Sequence, residues 1–188
     1  MSTLSTVAAG TAEMLRPIML IRHAEDNENS PSLSARGWQR TGALVRLFAP
    51  LDPQMLRKHL ATPRHIVAAR SDERSSRPVD TVRPLAEMLG LPVDDSLSGD
   101  DPPARVAQAL RALDTPLLVC WRHDTLPALA DALLQRAGDT PPKWPDERHD
   151  VVWVIEHGGA SAHLVQVPQQ VLPGDRSQSI VRRVRKAA

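Results

Sequence analysis

Three short apolar runs, Ile18 to Ile21, Ile66 to Ala69 and Leu117 to Trp121, each lead into a polar junction. Behind each junction, apolar residues recur at helical spacing. This alternation constrains the fold more than any other feature. Apolar runs of four or five residues are short for buried helices and read as strands covered on both faces. After the first run, Trp38, Thr41, Leu44, Val45 and Phe48 share a helical face until Pro50. Ser34 is the expected N-cap there, with Leu33 and Trp38 as a hydrophobic staple. After the second, Val82, Leu85, Ala86 and Leu89 line a helix from Pro78 to Gly90, and Pro84 predicts a kink or a late start. A helix beginning at Pro102 and Pro103, capped by Asp100 or Asp101, would bury Val106, Leu110 and Leu113. After the third run, Leu126, Leu129, Ala130, Leu133 and Leu134 face inward from a helix over 125–137. Val151 to Ile155 and His163 to Val167 read as strands joined by a hairpin turn at His157-Gly158-Gly159. The expected architecture is an α/β fold: a three-layer α/β/α sandwich with a mostly parallel sheet, helices on both faces and a C-terminal hairpin at an edge.

At 188 residues the chain suits one domain. We expect a disordered N-terminal tail over 1–16, one domain over 17–176 and a basic tail over 177–188. The 1–16 segment lacks the basic and apolar regions of a signal peptide. Val151 to Ile155 is among the longest apolar runs, far short of the roughly 20 residues of a membrane span. Cys120 is the sole cysteine, so neither an internal disulfide nor a Cys-rich zinc site can form, and its apolar neighbours predict a buried thiol. A reducing cytoplasm is the expected location. Net charge is +1, from 23 Lys+Arg and 22 Asp+Glu. Arg182, Arg183, Arg185 and Lys186 account for four positive charges, so the remainder stands at −3. That balance, with only 3% aromatic residues, argues against nucleic-acid binding. Any anion site must concentrate its arginines in one place.

The junctions do this. Ligands of open α/β sheets bind at the C-terminal ends of strands. Here two strands end in the same dipeptide, Arg22-His23 and Arg122-His123, and the third leads into a loop with Arg70, Arg74 and Arg77. Guanidiniums match phosphate oxygens with paired donors. An imidazole can attack phosphorus and carry the phosphoryl group as a covalent intermediate. Neighbouring arginines hold the ring unprotonated and spread the transition-state charge. The leaving alkoxide needs a proton, so a carboxylic acid should lie near by.

Leu20-Ile21-Arg22-His23-Ala24-Glu25 resembles the Leu-Ile-Arg-His-Gly-Glu signature of the histidine phosphatase superfamily, the phosphoglycerate mutase-like proteins, in a short-chain form. Leu33-Ser34-Ala35-Arg36-Gly37-Trp38-Gln39-Arg40 is similar to the helix start that follows in that family. Arg77-Pro78-Val79-Asp80-Thr81, with Pro84-Leu85-Ala86 and Leu89-Gly90-Leu91, resembles the segment carrying its second pocket arginine. The strand ending in His123 fits its second catalytic histidine. The motifs run in the family's order over about 18–135. The resemblance implies that His23 is the phosphorylated nucleophile, that Arg22 and Arg77 bind the phosphoryl oxygens, and that His123 stabilises the same group. Arg70 is a further substrate-binding candidate. Neither metal nor cofactor is implied.

Two positions depart from the pattern. Ala24 stands where the family usually has Gly. Asp124 stands where the short-chain branch commonly has Gly, and His123-Asp124 is similar to the acid phosphatase branch, whose Asp protonates the leaving group. Asp124 is therefore the favoured general acid, with Asp100, Asp101, Glu25 and Glu73 as alternatives. His157-Gly158-Gly159 is a superficial rival to His123, but a strand pattern follows it where a helix is required. His59, His65, His149 and His163 read as scattered surface or core residues, and nothing spaces them as metal ligands. The expected activity is metal-independent phosphomonoester hydrolysis through phospho-His23, on a phosphorylated small molecule or phosphoprotein. A phosphoglycerate mutase-like phosphotransferase is the first alternative; a non-catalytic member that binds a phospho-ligand or a protein partner is the second. Specificity should come from the loops 26–32, 70–76 and 138–148.

Overall fold

A computed structural model of the chain describes residues 17–27, 30–73, 75–114, 116–135, 141–158 and 161–181. Its strands are β1 (Ile18–Arg22), β2 (His65–Ala68), β3 (Val93–Asp94), β4 (Leu117–Trp121), β5 (Val151–Gly158) and β6 (Ser161–Pro168). Its helices are α1 (Ala35–Phe48), α2 (Arg77–Leu89), α3 (Pro103–Ala112) and α4 (Leu126–Leu134). The six strands form one sheet in the order β3-β2-β4-β1-β5-β6. β1 and β2 both run parallel to β4, and β3 runs parallel to β2. β5 pairs antiparallel with β1, and the β5–β6 hairpin forms the edge. This is the expected sandwich, with the short β3 added.

Successive strand side chains point to opposite faces, which explains the unbroken apolar runs. Ile18 and Leu20 of β1, with Leu117, Val119 and Trp121 of β4, join the core under α3 and α4. Met19 and Ile21, with Leu118 and Cys120, join the core under α1 and α2. Each fully buried side chain of this size contributes about 1.5–3 kcal/mol. The Cys120 thiol is fully buried, and burial pushes its pKa up. Trp144 and Trp153 are also fully buried, with ring centroids 4.7 Å apart.

Several local expectations need correction. α1 is capped by Ser34, whose side chain accepts the Gly37 N–H at 3.1 Å, but Trp38 is 48% exposed while Leu33 is buried. The inward face carries the expected Thr41, Leu44 and Phe48 together with Gly37, Arg40 and Leu47. α2 starts at Arg77 and runs on through Pro84, which removes one helical donor without ending the helix. Gly90 closes it in the left-handed conformation at φ 66°. Asp101 does not cap α3, whose N-cap is Pro102; its carboxylate accepts the Ser98 N–H at 2.8 Å and pairs with Arg105. α4 ends at Leu134, and Gln135 follows at φ 52°. His157 and Gly158 are strand residues, opposite Ala162 and Ser161, where a turn was expected; Gly159 lies outside the described residues. So do the 1–16 tail, Asn29, Arg74, Gly138 and the Arg182-to-Lys186 cluster. The packed chain continues past residue 176, with Ile180 buried. No helix among the described residues is long and apolar enough to cross a membrane.

Candidate active site

β1 is buried along its length and delivers Arg22 at its last residue. One residue on, the His23 N–H still donates to the Trp121 carbonyl of β4, at 3.3 Å. The first histidine is thus fastened to the strand that carries the second. The Ala24 N–H donates to Thr81 Oγ1 at 2.8 Å, and that hydroxyl donates to the Arg77 carbonyl at 2.7 Å. The turn after His23 is thereby tied to the first turn of α2, where Arg77 sits. The methyl of Ala24, at the position that departs from the family pattern, is fully buried.

His23 is 5% exposed. Its Nδ1 lies 2.8 Å from the Ala24 carbonyl. A carbonyl only accepts, so Nδ1 carries the proton and Nε2 of the neutral ring is bare. Burial above all, and then the charges of Arg22 and Arg77, lower its pKa to about 3, against the pull of the Ala24 hydrogen bond. At neutral pH the ring is uncharged and Nε2 keeps its lone pair.

His23 lines a cavity of about 270 Å³ together with Arg22, Arg77, His123 and Asp124. Arg70, Ser98, Gly99 and Arg122 form another part of its wall, and Asp26 and Asp72 line it as well. Four arginines therefore face three aspartates, and burial keeps His23 neutral. Arg22 is 6% exposed. Its Nη1 donates to the carbonyls of Pro145, Asp146 and Arg148, and its Nε is buried with no partner among the described residues. Burial lowers its pKa to about 10, partly offset by Asp146, so it remains cationic. Arg77 pairs with Asp26 and donates from Nε to Ser75 Oγ at 2.9 Å. Arg70 lines the wall, but its guanidinium donates to the carbonyls of Asp95 and Ser96.

The β4 junction supplies the rest. Arg122 bridges Asp100 and Asp124, at 3.1 Å to each. A Cβ on Gly99 would lie 2.6 Å from Arg122 Cδ, so the bare backbone there makes room for the arginine. His123 Nε2 lies 3.1 Å from Asp146 Oδ1. Burial, then Arg22, lower the His123 pKa, while Asp124 and Asp146 oppose them. For Asp124, burial favours the protonated form, but the charge and hydrogen bond of Arg122 outweigh it and the net shift is downward.

Of the five acids considered from the sequence, Asp124 alone is among the cavity-lining residues. Asp100 pairs with Arg122 and Asp101 with Arg105. Glu25 is held by Arg36 and Arg40, and Glu73 is exposed. The register pairing Ile18 with Ile155 carries His157 beyond the start of β1, at the far end of the sheet from His23. His59 and His163 pair with the buried Glu156. His149 is different: its Nδ1–H donates to the His23 carbonyl at 2.9 Å, and burial, followed by Arg22, lowers its pKa to about 4. Sequence reasoning missed His149, Asp26, Asp72 and Asp146. Trp144, an apolar residue inside a proline-rich polar stretch, was the available sign of an anchored turn. Among the described residues no cluster of three or more His, Cys, Asp or Glu side chains could hold a metal ion.

The geometry defines a class of fold that known structures share. No family model and no curated protein matches the chain. Among solved structures, it is similar to the protein histidine phosphatase SixA complexed with tungstate, at 16% identity over 81% of this chain and 97% of that one, TM-score 0.56. It is also similar to a mycobacterial glucosyl-3-phosphoglycerate phosphatase complexed with VO3, at 17% identity over 84% and 100% of the two chains, TM-score 0.50. A mycobacterial hydrolase aligns at 18% identity over 80% and 97%, TM-score 0.50. The chain has the histidine phosphatase fold.

Proposed function

We propose that the protein is a metal-independent phosphomonoester hydrolase that works through a phosphohistidine on His23. The observation that carries this reading is the bare Nε2 of a buried, neutral imidazole facing an arginine-lined cavity that also holds His123. The phosphoryl oxygens bind Arg22, Arg77 and His123. His23 Nε2 attacks phosphorus, the bond to the ester oxygen breaks, and Asp124 gives the departing oxygen its proton. Water then attacks the phosphohistidine, Asp124 takes the water's proton, and inorganic phosphate leaves. The charge and hydrogen bond of Arg122 favour the ionised form of Asp124. A phosphoryl dianion beside the carboxylate favours its protonated form, as a proton donor requires. The structural neighbours complexed with tungstate and VO3 support an oxyanion site in this fold. The substrate class is a phosphorylated small molecule or a phosphoprotein.

The test is hydrolysis of an aryl phosphate with chelator present, combined with trapping of an acid-labile phosphoenzyme. His23→Ala should abolish the label and lower kcat about 10³-fold or more. Asp124→Asn should slow a poor leaving group about 10²-fold and an activated aryl ester far less. Wild-type protein without turnover or label would overturn the enzyme reading, and an active His23→Ala would overturn the mechanism.

A further inference from the structure

The turn from Trp144 to His149 touches three pocket residues at once. Trp144, packed on Trp153, anchors it by donating Nε1–H to the Arg148 carbonyl at 2.7 Å. The Arg148 N–H closes it on the Pro145 carbonyl at 3.1 Å. From this frame three backbone carbonyls hold Arg22, His149 holds the His23 carbonyl, and Asp146 reaches His123 Nε2 at 3.1 Å.

We propose that Asp146 is the positioning residue of His123: it grips the ring through Nε2–H, presents Nδ1 to the phosphoryl group, and keeps the ring cationic once that group is bound. The inference rests on the phosphoryl site described under Proposed function. A carboxylate only accepts, so Nε2 carries a proton. Nδ1 has no hydrogen-bond partner among the described residues and is the nitrogen left for a ligand. On a neutral ring held this way, Nδ1 offers a phosphoryl oxygen only a lone pair, which repels it. On the cation, Nδ1 is a charged donor. Arg22 from the end of β1 opposes the cation, as does burial, while Asp124 from the same junction and Asp146 from the turn favour it. Arg77 and Arg122 line the same cavity. A bound dianion adds negative charge beside Nδ1, and the ring takes one proton from solvent. Asp146 is 79% exposed, so its influence is electrostatic and screened by salt, while its removal leaves the core untouched.

The experiment is an NMR titration of the His123 ring in the full chain with inorganic phosphate or vanadate bound, for wild type, Asp146→Asn and Asp146→Glu. Asp146→Asn should lower the protonation midpoint by about one pH unit, a tenfold loss of cation above it. Asp146→Glu should restore most of that loss, and high salt should shrink the difference. The basic limb of kcat on an aryl phosphate should move down by the same amount, with KM at low pH nearly unchanged. A midpoint that does not move in Asp146→Asn overturns the proposal. Absence of turnover in the wild type strikes the phosphatase reading alone, because the titration does not depend on catalysis.

Discussion

His23 and His149 are the two imidazoles of the site that the fold holds uncharged, with pKa values lowered to about 3 and about 4. In the unfolded chain both titrate near the ordinary histidine value of about 6.5. Above that pH neither state binds the protons, and their contribution to stability is constant. As pH falls from about 6.5 toward 4, the unfolded chain takes up two protons that the native state refuses. Stability therefore falls on acidification, by up to about 1.4 kcal/mol per pH unit for each group. Asn at 149 keeps an N–H donor for the His23 carbonyl and does not titrate. Urea denaturation at stepped pH should show a shallower acid decline for His149→Asn than for wild type. Parallel declines would mean that His149 titrates normally in the native protein.

Between residue and fold, the site is organised by the docking of the Glu25 backbone on Ser34 and the start of α1. Ser34 binds the Glu25 carbonyl through both N–H and Oγ, at 2.9 and 3.2 Å. Gly37 packs so closely on that carbonyl that an added Cβ would sit 2.1 Å from its oxygen. Backbone cannot yield as a side chain would, so Gly37→Ala should cost about 1–3 kcal/mol, read by urea denaturation. It should also reduce turnover, because Glu25 lies two residues from His23. Arg40, 2% exposed, joins Glu25 to Asp175 at 2.7 and 2.8 Å, which explains a charged residue on the inward face of α1. Sequence reading placed Trp38 on that face with Thr41, Leu44, Val45 and Phe48, because periodicity counts apolar residues and overlooks a glycine and a paired arginine. The strands, both Arg-His junctions and Arg77 were legible because β-strands and helix starts leave local signals. Asp146 and His149 were not. Their roles depend on where a nonperiodic turn docks: it brings His149 to His23, 126 residues away in the chain, and Asp146 to His123 at the end of another strand.

For the whole molecule, the near-neutral total charge conceals an uneven distribution. Four of the 23 Lys+Arg side chains line one small cavity beside two histidines. What holds that cavity in shape includes the chain that returns after β6. Asp175 pairs with Arg40, the Arg176 N–H donates to Asp150 at 2.7 Å, and Arg148 donates to the Gln178 carbonyl at 2.8 Å. Gln166 of β6 then binds both backbone groups of Ile180, at 2.8 and 2.9 Å. This return packs on two parts of the site's frame: α1, through Arg40, and Arg148 of the turn that carries Asp146 and His149. Ile180 is 4% exposed and belongs to the core under α3 and α4, so its side chain is a fastening that is not itself among the cavity-lining residues. Ile180→Ala should cost about 2–4 kcal/mol, measured as a lower urea midpoint with an unchanged m-value. If the return is a fastening and not part of the chemistry, kcat on an aryl phosphate well below the melting temperature should stay within about twofold of wild type. A variant that kept its stability would show that the sheet and its four helices hold the site without the returning segment.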